Sequence, residues 1–279
     1  MEKYELLPQQ LLYEGTVVND QFYQPEALDD ESILLTHSFD YLRKLNHLLL
    51  DPKEIRNIGF PMSEILVRRG KHIASGTYCS AKFALQNGIA MNIAGGTHHS
   101  FADRGEGFCL FNDIAIASNI LLKEGLVEKI LIVDLDVHQG NGTAKIFEHE
   151  TRVFTFSMHG DKNYPVRKEK SDFDLGLPDK TNDAQYLQHL TNILPRLIDQ
   201  LRPDFIFYLS GVDVLETDKL GRLSLSKQGC KQRDLYVLSI AKSYKIPVAV
   251  SMGGGYSPRL KDIIEAHANT FRVAQELYF

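Results

Sequence analysis

Continuous apolar runs alternate with amphipathic stretches along most of this chain. A short apolar run matches a strand that is buried on both faces of a parallel sheet. Runs of this kind, each predicted to be a strand, cover residues 89–93, 130–133, 153–157, 205–209 and 247–251. Apolar residues at helical spacing predict helices at residues 29–50, 72–87, 112–124, 143–148, 183–200, 226–244 and beyond Ser257. The alternation predicts an α/β fold: a single three-layer domain with a doubly wound, mainly parallel sheet.

Three residues predict where these helices end, begin or bend. Gly88 stands where a glycine in the left-handed region would end the helix before it. Ser257 stands where its hydroxyl would cap the last helix. Pro195 lies inside a predicted helix and should kink or locally break it, because proline cannot donate the helical hydrogen bond.

The remaining segments are predicted to be loops or are poorly defined by their pattern. Residues 1–30 are the least regular part, with one helix-compatible piece at 6–13. Polar loops are predicted for residues 51–69 and 160–171. No repeat or linker interrupts the pattern, so residues 1–279 are interpreted as one domain.

Polar side chains follow four of the predicted strands. In doubly wound sheets, ligands bind at the carboxyl ends of the strands. Asp134, Asp136 and His138 occupy every second position after an apolar run, so the three side chains point the same way. The polar residues that follow the other three strands are His98 with His99, Asp213, and Tyr256. The sequence therefore predicts one site built from four strand ends.

Asp136, His138 and Asp213 are the best candidate metal ligands. Carboxylates and an imidazole at the end of a buried strand are costly unless something pairs with them, and a divalent metal is the simplest partner. Three protein ligands with one open position is the arrangement of a catalytic zinc site. The alternative is a strand end that merely reaches water, where an Asp caps a turn or the next helix.

The paired histidines and the tyrosine provide the other groups that metal-assisted hydrolysis needs. A metal lowers the pKa of its water, which then requires a base, and the leaving group requires a proton donor. His98 and His99 offer both groups, and Tyr256 offers a hydroxyl to the developing oxyanion. Each feature is weak evidence alone, and the prediction depends on their combination.

Composition narrows the class of protein. The chain has 279 residues, 43% hydrophobic and 24% charged, and a net charge of −5. It has no basic face for nucleic acid and no polybasic run for a membrane surface. Its three scattered cysteines do not form a disulfide framework, which favours a reducing compartment. No stretch reaches the length of a membrane span, and the N-terminus lacks a signal-peptide core. We therefore expect a soluble cytoplasmic protein.

Five co-ordered motifs resemble the zinc-dependent histone deacetylase family, which includes bacterial acetylpolyamine amidohydrolases and acetoin-utilisation proteins. The motifs are G-G-T-H-H (95–99), G-F-C (107–109), D-L-D-V-H-Q-G-N-G (134–142), S-G-V-D (210–213) and G-G-G-Y (253–256). The resemblance covers the chain from about residue 30 to its C-terminus and implies an arginase/deacetylase fold. Residues 103–105 and 218–221 look most like the class IV branch.

The resemblance implies a role for each matching residue. Asp136, His138 and Asp213 match the zinc ligands, although two carboxylates and one imidazole suit ferrous iron as well. His98 and His99 match the tandem histidines, of which the second is the usual general base and acid. Tyr256 matches the tyrosine that polarises the carbonyl. The walls of the acyl-lysine tunnel are matched by Gly107, Phe108, Tyr164 and Leu220. A structural potassium site is matched by Asp134 and Ser157.

Two features depart from the family pattern. Class I members have an aspartate where this chain has Asn141. With Asp134 behind His98 and a neutral Asn141 behind His99, we expect His98 to be cationic and His99 to be the neutral base. The first strand of the family is also absent before Tyr4, so we expect either that Met1 is an internal start or that one edge of the sheet is open, which favours association.

The leading functional hypothesis is a metal-dependent hydrolase that removes an acyl group from an amine. Its substrate would be acylated lysine in a protein or peptide, most simply acetyl-lysine, or a small acylated amine such as an acetylated polyamine. A ureohydrolase with two manganese ions is a weaker alternative, because His98, His99 and Tyr256 do not fit it. The third alternative is a metal-binding partner protein without turnover. The oligomeric state and the acyl-chain length stay open.

Asn141→Asp tests the assignment of His99 as the neutral base. A carboxylate beside His99 should raise the pKa of its imidazole. Because the base acts when it is neutral, the acidic limb of the pH dependence of kcat/KM should move to higher pH. A pH–rate profile that overlays that of the wild type would contradict the assignment.

Overall fold

A computed structural model describes residues 2–279 and contains one six-stranded sheet. All neighbouring strands are parallel, and their order is β1-β6-β5-β2-β3-β4. The strands are β1 (Ile89–Asn92), β2 (Ile130–Asp134), β3 (Val153–Gly160), β4 (Phe173–Leu177), β5 (Phe205–Leu209) and β6 (Val248–Ser251). Within the described residues, β1 and β4 are the outer strands. The predicted parallel α/β architecture is confirmed.

Ten α-helices and one 3-10 turn connect or flank these strands in residues 2–279. The helices are α1 (Lys3–Tyr13), α2 (Asp30–Ile33), α3 (Phe39–Asn46), α4 (Pro52–Ile58), α5 (Glu64–Asn87), α6 (Asp113–Lys123), α7 (Asn141–Ile146), α8 (Asp183–Leu201), α9 (Lys227–Ser243) and α10 (Leu260–Tyr278). The 3-10 turn is Asn19–Gln21. None of the helices in the described part combines the length and apolarity needed to cross a membrane.

Alternation along the central strands divides the core into two layers. Leu131 and Val133 of β2 pack with side chains of α8, α9 and α10. Ile130 and Ile132 of the same strand pack with side chains of α5 and α6 on the opposite face. Because both faces are covered, β2 and β5 are buried at every position. This explains why their sequences are continuous apolar runs.

Two loop and helix predictions between residues 29 and 69 are wrong. The predicted helix at 29–50 is two short helices, since Ser38 caps α3 by accepting a hydrogen bond from the backbone N–H of Tyr41. The predicted loop at 51–69 contains α4 and the first turn of α5. Asp51 and Glu54 form a capping box that starts α4. These local hydrogen bonds decide the helix boundaries more strongly than apolar spacing does.

Pro195 does not break its helix, which contradicts the predicted local break. The helix α8 runs continuously past Pro195 to Leu201. At position 195, any residue other than proline would donate its backbone N–H to the carbonyl of Thr191. This carbonyl instead accepts a hydrogen bond from the hydroxyl of Tyr236. A neighbouring helix therefore satisfies the group that the proline leaves free.

Two further differences concern the ends of elements. The strand β4 was not predicted, because its residues are partly exposed and include Gly176. Ser257 does not cap the last helix, which begins at Leu260 after Arg259 without a side-chain cap. Gly88 ends α5 as predicted, with a φ of 86° that favours glycine.

Candidate active site

Three candidate ligand atoms meet where β2 and β5 end. The Nδ1 atom of His138 lies 3.1 Å from Oδ1 of Asp136 and 3.3 Å from Oδ2 of Asp213. The three ligand atoms all lie within 4.8 Å of one another. β2 and β5 are hydrogen-bonded neighbours, so residues that follow them are brought to the same point. The structure therefore brings the three predicted ligands together.

Backbone N–H groups hold the two carboxylates in place. Asp136 accepts hydrogen bonds from the N–H groups of His138 at 3.0 Å and of Gly254 at 2.8 Å. Asp213 accepts one from the N–H of Val137 at 3.0 Å through its Oδ1 atom. Both carboxylates are thus fixed by the strand ends around them.

The charge of this cluster fits a bound cation. Asp213 is fully buried, and its Oδ2 atom has no hydrogen-bond partner among the described residues. Burial and the charge of Asp136 raise the pKa of Asp213 to about 7. Burial alone would lower the pKa of His138, but the nearby carboxylates of Asp136 and Asp213 raise it to about 10. The negative charge of the two carboxylates thus favours a positive charge at this point. Two carboxylates and one imidazole are a set of ligands that suits a divalent metal.

His98 and Asp134 form a buried ion pair beside this cluster. Nδ1 of His98 lies 2.7 Å from Oδ2 of Asp134, and both side chains are buried. Burial alone would lower the pKa of His98, but the charge and hydrogen bond of Asp134 outweigh it and raise the pKa to about 9. Oδ1 of Asp134 accepts a hydrogen bond from the N–H of Asp136. The ion pair with Asp134 therefore favours the cationic form of His98.

His99 has a different hydrogen-bond partner from His98, and its pKa is shifted in the opposite direction. Its Nδ1 atom lies 2.6 Å from Oδ1 of Asn141. Burial and the positive charge of His98 lower the pKa of His99 well below its usual value. The rings of His98 and His99 are 4.1 Å apart, so the charge of one acts directly on the other. The directions of both shifts agree with the prediction that His98 is cationic and His99 neutral.

Tight backbone contacts position this histidine pair. Gly96 and Thr97, which come directly before the histidine pair, donate hydrogen bonds to both carboxylate oxygens of Asp113. Gly96 has a φ of 72°, and a Cβ atom there would lie 2.6 Å from the backbone of Gly253. The loops that follow β1 and β6 can approach this closely because position 96 is a glycine.

Tyr256 lines the same cavity as the histidines and the ligand cluster. Its backbone N–H donates to Oδ2 of Asp218 at 2.6 Å, and Oδ1 of Asp218 accepts from the N–H groups of Leu220 and Gly221. Burial and the charges of Asp213 and Asp136 raise the pKa of Tyr256 above its ordinary value. The phenol therefore stays protonated and is able to donate a hydrogen bond.

The cavity has a volume of about 70 Å³, and the predicted tunnel residues differ in their relation to it. Gly107 and Phe108 line it directly. Tyr164 is 40% exposed and packs edge-on against the ring of His99, with 4.9 Å between centroids. Leu220 is 47% exposed, and its carbonyl accepts a hydrogen bond from the side chain of Asn163. Tyr164 and Leu220 thus lie outside the cavity lining.

Ser157, a residue of the predicted potassium site, lies beside Asp134, and its hydroxyl contacts a histidine. The register of β2 and β3 places Ser157 beside Asp134. The Oγ atom of Ser157 lies 2.9 Å from Nδ1 of His159. The potassium site stays a prediction.

Lys3, which no sequence pattern indicated, also lines the cavity. Its Nζ donates to the carbonyl of Gly253 at 3.1 Å and lies 5.9 Å from the ring centre of Tyr256. Burial lowers the pKa of Lys3, although the charges of Asp213 and Asp136 oppose this. The helix α1 brings Lys3 here by packing on α10 through Leu7 and Leu11. No motif in residues 1–30 marks this contact.

Arg233, a second residue that no sequence pattern indicated, is fully buried behind the ligand cluster. Its Nη1 donates to the carbonyl of Gly211 at 2.6 Å and to that of Leu135 at 3.2 Å. These carbonyls belong to the two segments that carry the candidate metal ligands. Its charge is balanced by Asp234, with 2.8 Å between Nη2 and Oδ1. Arg233 thus ties the two ligand-bearing segments together.

Comparison with known proteins identifies similar sequences. A family model described as the histone deacetylase domain matches residues 1–271. A protein of Picosynechococcus sp. that is named as uncharacterized is 44% identical, covering 100% of this chain and 93% of that protein. Histone deacetylase 2 of Arabidopsis thaliana is 29% identical over 88% of this chain and 66% of its own. The acetoin utilization protein AcuC of Staphylococcus aureus is 28% identical over 90% and 70%.

Two solved structures share the fold. The HD domain of HDA15 superposes with a TM-score of 0.81 at 19% identity, covering 99% of this chain and 81% of that one. A histone deacetylase homologue crystallised with SAHA gives a TM-score of 0.82 at 24% identity, covering 95% and 76%. The predicted arginase/deacetylase fold is therefore confirmed.

Arg233→Leu should lower the free energy of unfolding by about 3–5 kcal/mol, because it leaves the buried carboxylate of Asp234 without its cation. Urea unfolding curves measure this loss. The control Arg196→Leu removes an exposed arginine of α8 and should change stability by about 0.5 kcal/mol or less. Equal, small effects of the two substitutions would contradict a structural role for Arg233.

Proposed function

The chain belongs to the histone deacetylase family, and on this basis we propose that it hydrolyses the amide bond of an acylated amine, most simply N-acetyl-lysine. The observation that carries the proposal is the convergence of three kinds of group on one cavity. These groups are the ligand cluster of Asp136, His138 and Asp213, the neutral imidazole of His99 and the phenol of Tyr256. Together they match the requirements of metal-assisted hydrolysis.

Asp136, His138 and Asp213 would hold the metal. The donor set suits zinc, and ferrous iron is the alternative. When bound, the metal supplies Lewis acidity, which acidifies a water molecule and polarises the amide carbonyl. The fully buried carboxylate of Asp213, whose Oδ2 atom faces Nδ1 of His138 at 3.3 Å, supports this assignment.

His99 would act as the general base and then as the general acid. In the tautomer that carries its proton on Nδ1, His99 would donate to Oδ1 of Asn141, 2.6 Å away, and Nε2 would carry the lone pair that can accept a proton from water. The low pKa of His99 keeps this atom unprotonated at neutral pH. The same Nε2 atom would later pass the proton to the leaving amine.

His98 and Asp134 would contribute charge and orientation. The cationic His98 lies against His99 and stabilises negative charge that develops during attack on the carbonyl. Asp134 holds the ring of His98 through its Nδ1 atom and keeps it protonated. Two adjacent histidines would therefore have different protonation states and different roles.

Tyr256 would donate a hydrogen bond from its hydroxyl to the carbonyl oxygen of the substrate. Its raised pKa keeps the phenol protonated, as a donor must be. Gly107 and Phe108 would contact the stem of an acylated lysine inside the cavity. Tyr164 and Leu220 are 40% and 47% exposed, and their place in substrate binding would be at the mouth.

The alternatives differ in how well the geometry supports them. A small acylated amine, such as an acetylated polyamine, would use the same groups. A ureohydrolase with two manganese ions is disfavoured, because the described residues contain one cluster of candidate metal ligands. The class IV assignment, the cytoplasmic location and the potassium ion stay predictions.

His99→Ala and Tyr256→Phe should each abolish most turnover while the metal content stays normal. We expect a loss of about 100-fold or more, which is typical of removing a general base or a donor to the oxyanion. Steady-state kinetics and metal analysis of the purified variants measure both properties. The controls His189→Ala and Tyr13→Phe change exposed residues of the same types and should leave both unchanged.

Loss of metal in either active-site variant would show that its role is misassigned. Retention of near-normal turnover by His99→Ala would exclude His99 as the base.

A metal-reconstituted assay on a panel of substrates tests the function itself. The panel contains acyl-lysine peptides from acetyl to long-chain and acetylated polyamines, each assayed with zinc and with ferrous iron. We expect turnover of at least one acyl-lysine peptide with the metal bound stoichiometrically. Stoichiometric metal without turnover of any compound would favour the non-catalytic alternative, and turnover of polyamines alone would change the substrate class.

A further inference from the structure

We propose that Glu106 is a positioning residue for the base, because its carboxylate fixes the side-chain amide of Asn141 so that the amide oxygen faces His99. The inference rests on the proposed role of His99. It adds a third member to the pair of His99 and Asn141. It also explains how a neutral asparagine can select the tautomer of a catalytic histidine.

The contacts form a continuous chain at the cavity. Asn141 is 2% exposed, and its Oδ1 atom lies 2.6 Å from Nδ1 of His99. Its Nδ2 atom donates to Oε2 of Glu106 at 3.4 Å. The amide therefore lies between a histidine and a carboxylate, with a different end towards each.

The carboxylate decides which end of the amide faces which neighbour. If the amide of Asn141 were flipped, its oxygen would face the negative charge of Glu106 and its NH₂ group would face His99. Nδ1 of His99 would then have to accept, and the ring proton would move to Nε2. Nε2 is the atom that must accept a proton from water. Glu106 favours the orientation in which Nδ1 carries the proton and Nε2 stays free.

Glu106 is itself held in place. Its Oε1 atom accepts from Nε of Arg104 at 3.0 Å, and Oε2 accepts from the hydroxyl of Tyr164 at 2.6 Å. Its side chain is 19% exposed. The guanidinium of Arg104 also stacks on the ring of Phe101, at 3.6 Å from its centre. A carboxylate restrained at both oxygens is suited to orienting a neighbour, not merely to solvating it.

A structural role is the competing interpretation, since Glu106 also holds Tyr164 at the mouth of the cavity. The two roles predict different kinetics. If Glu106 only supports Tyr164, Tyr164→Phe should reproduce the effect of Glu106→Ala. If Glu106 orients Asn141, Glu106→Ala should lower kcat, whereas Tyr164→Phe should act mainly on KM.

A double-substitution cycle separates the roles further. Glu106→Ala should lower kcat by about 10-fold in the wild-type background, the factor expected for losing one charge-assisted hydrogen bond. In the Asn141→Asp background, Glu106→Ala should not lower kcat, because a carboxylate has two equivalent oxygens and needs no orienting partner. It should instead restore activity relative to Asn141→Asp alone, because it removes the repulsion between the two carboxylates. Glu106→Gln, which still offers a carbonyl oxygen to the Asn141 amide, should retain more activity than Glu106→Ala. Glu128→Ala, which removes an exposed glutamate after α6, is the control.

The tautomer of His99 can be observed without turnover. In ¹⁵N-histidine NMR spectra of the metal-loaded protein, His99 should carry its proton on Nδ1, and Glu106→Ala should shift part of the population to Nε2. The same kcat loss in both backgrounds, or an unchanged tautomer in Glu106→Ala, would overturn the proposal. If no substrate is turned over but the tautomer shifts as expected, the proposed function fails and the positioning role stands.

Discussion

Two buried carboxylates that face each other at the end of a hydrophobic sheet are the constraint on which the rest of this structure depends. Asp136 and Asp213 lie on neighbouring segments, where both are almost completely shielded from water. Like charges at this depth are tolerated only when donors and a cation surround them. The backbone N–H groups, the imidazole of His138 and the buried Arg233 behind the segments all act against the same electrostatic cost.

The same residue type acquires opposite properties within one dipeptide. His98 and His99 are both buried, so burial alone would lower the pKa of each. The difference comes from the partner of Nδ1, which is a carboxylate for His98 and an amide for His99. Once His98 carries a charge, it lowers the pKa of His99 further. One carboxylate, placed at Nδ1 of only one of the two histidines, is therefore enough to give them different protonation states.

The sequence predicted most of the sheet and most of the site for related physical reasons. Apolar runs identify strands that are covered on both faces, and parallel strands must bring their carboxyl ends together, which places Asp213 beside Asp136. The partly exposed strand β4 has no such run. Lys3, Arg233 and Glu106 reach the site across loops and between helices, so no periodicity or spacing reveals them. Helix boundaries at Ser38 and Asp51 depend on single hydrogen bonds, which patterns of apolar residues do not record.

The packing of α1 on α10 has a consequence for how the site is assembled during folding. Glu14 and Arg272 form a paired ion bridge across 258 residues of chain, and this bridge holds the pKa of Glu14 at about 2. Contacts between residues so far apart in sequence have a loop-closure cost in entropy, which slows their formation. Lys3 can reach the cavity only when α1 has docked on α10. A nascent chain that has already formed the sheet would therefore still lack one wall of its cavity until the last helix is synthesised.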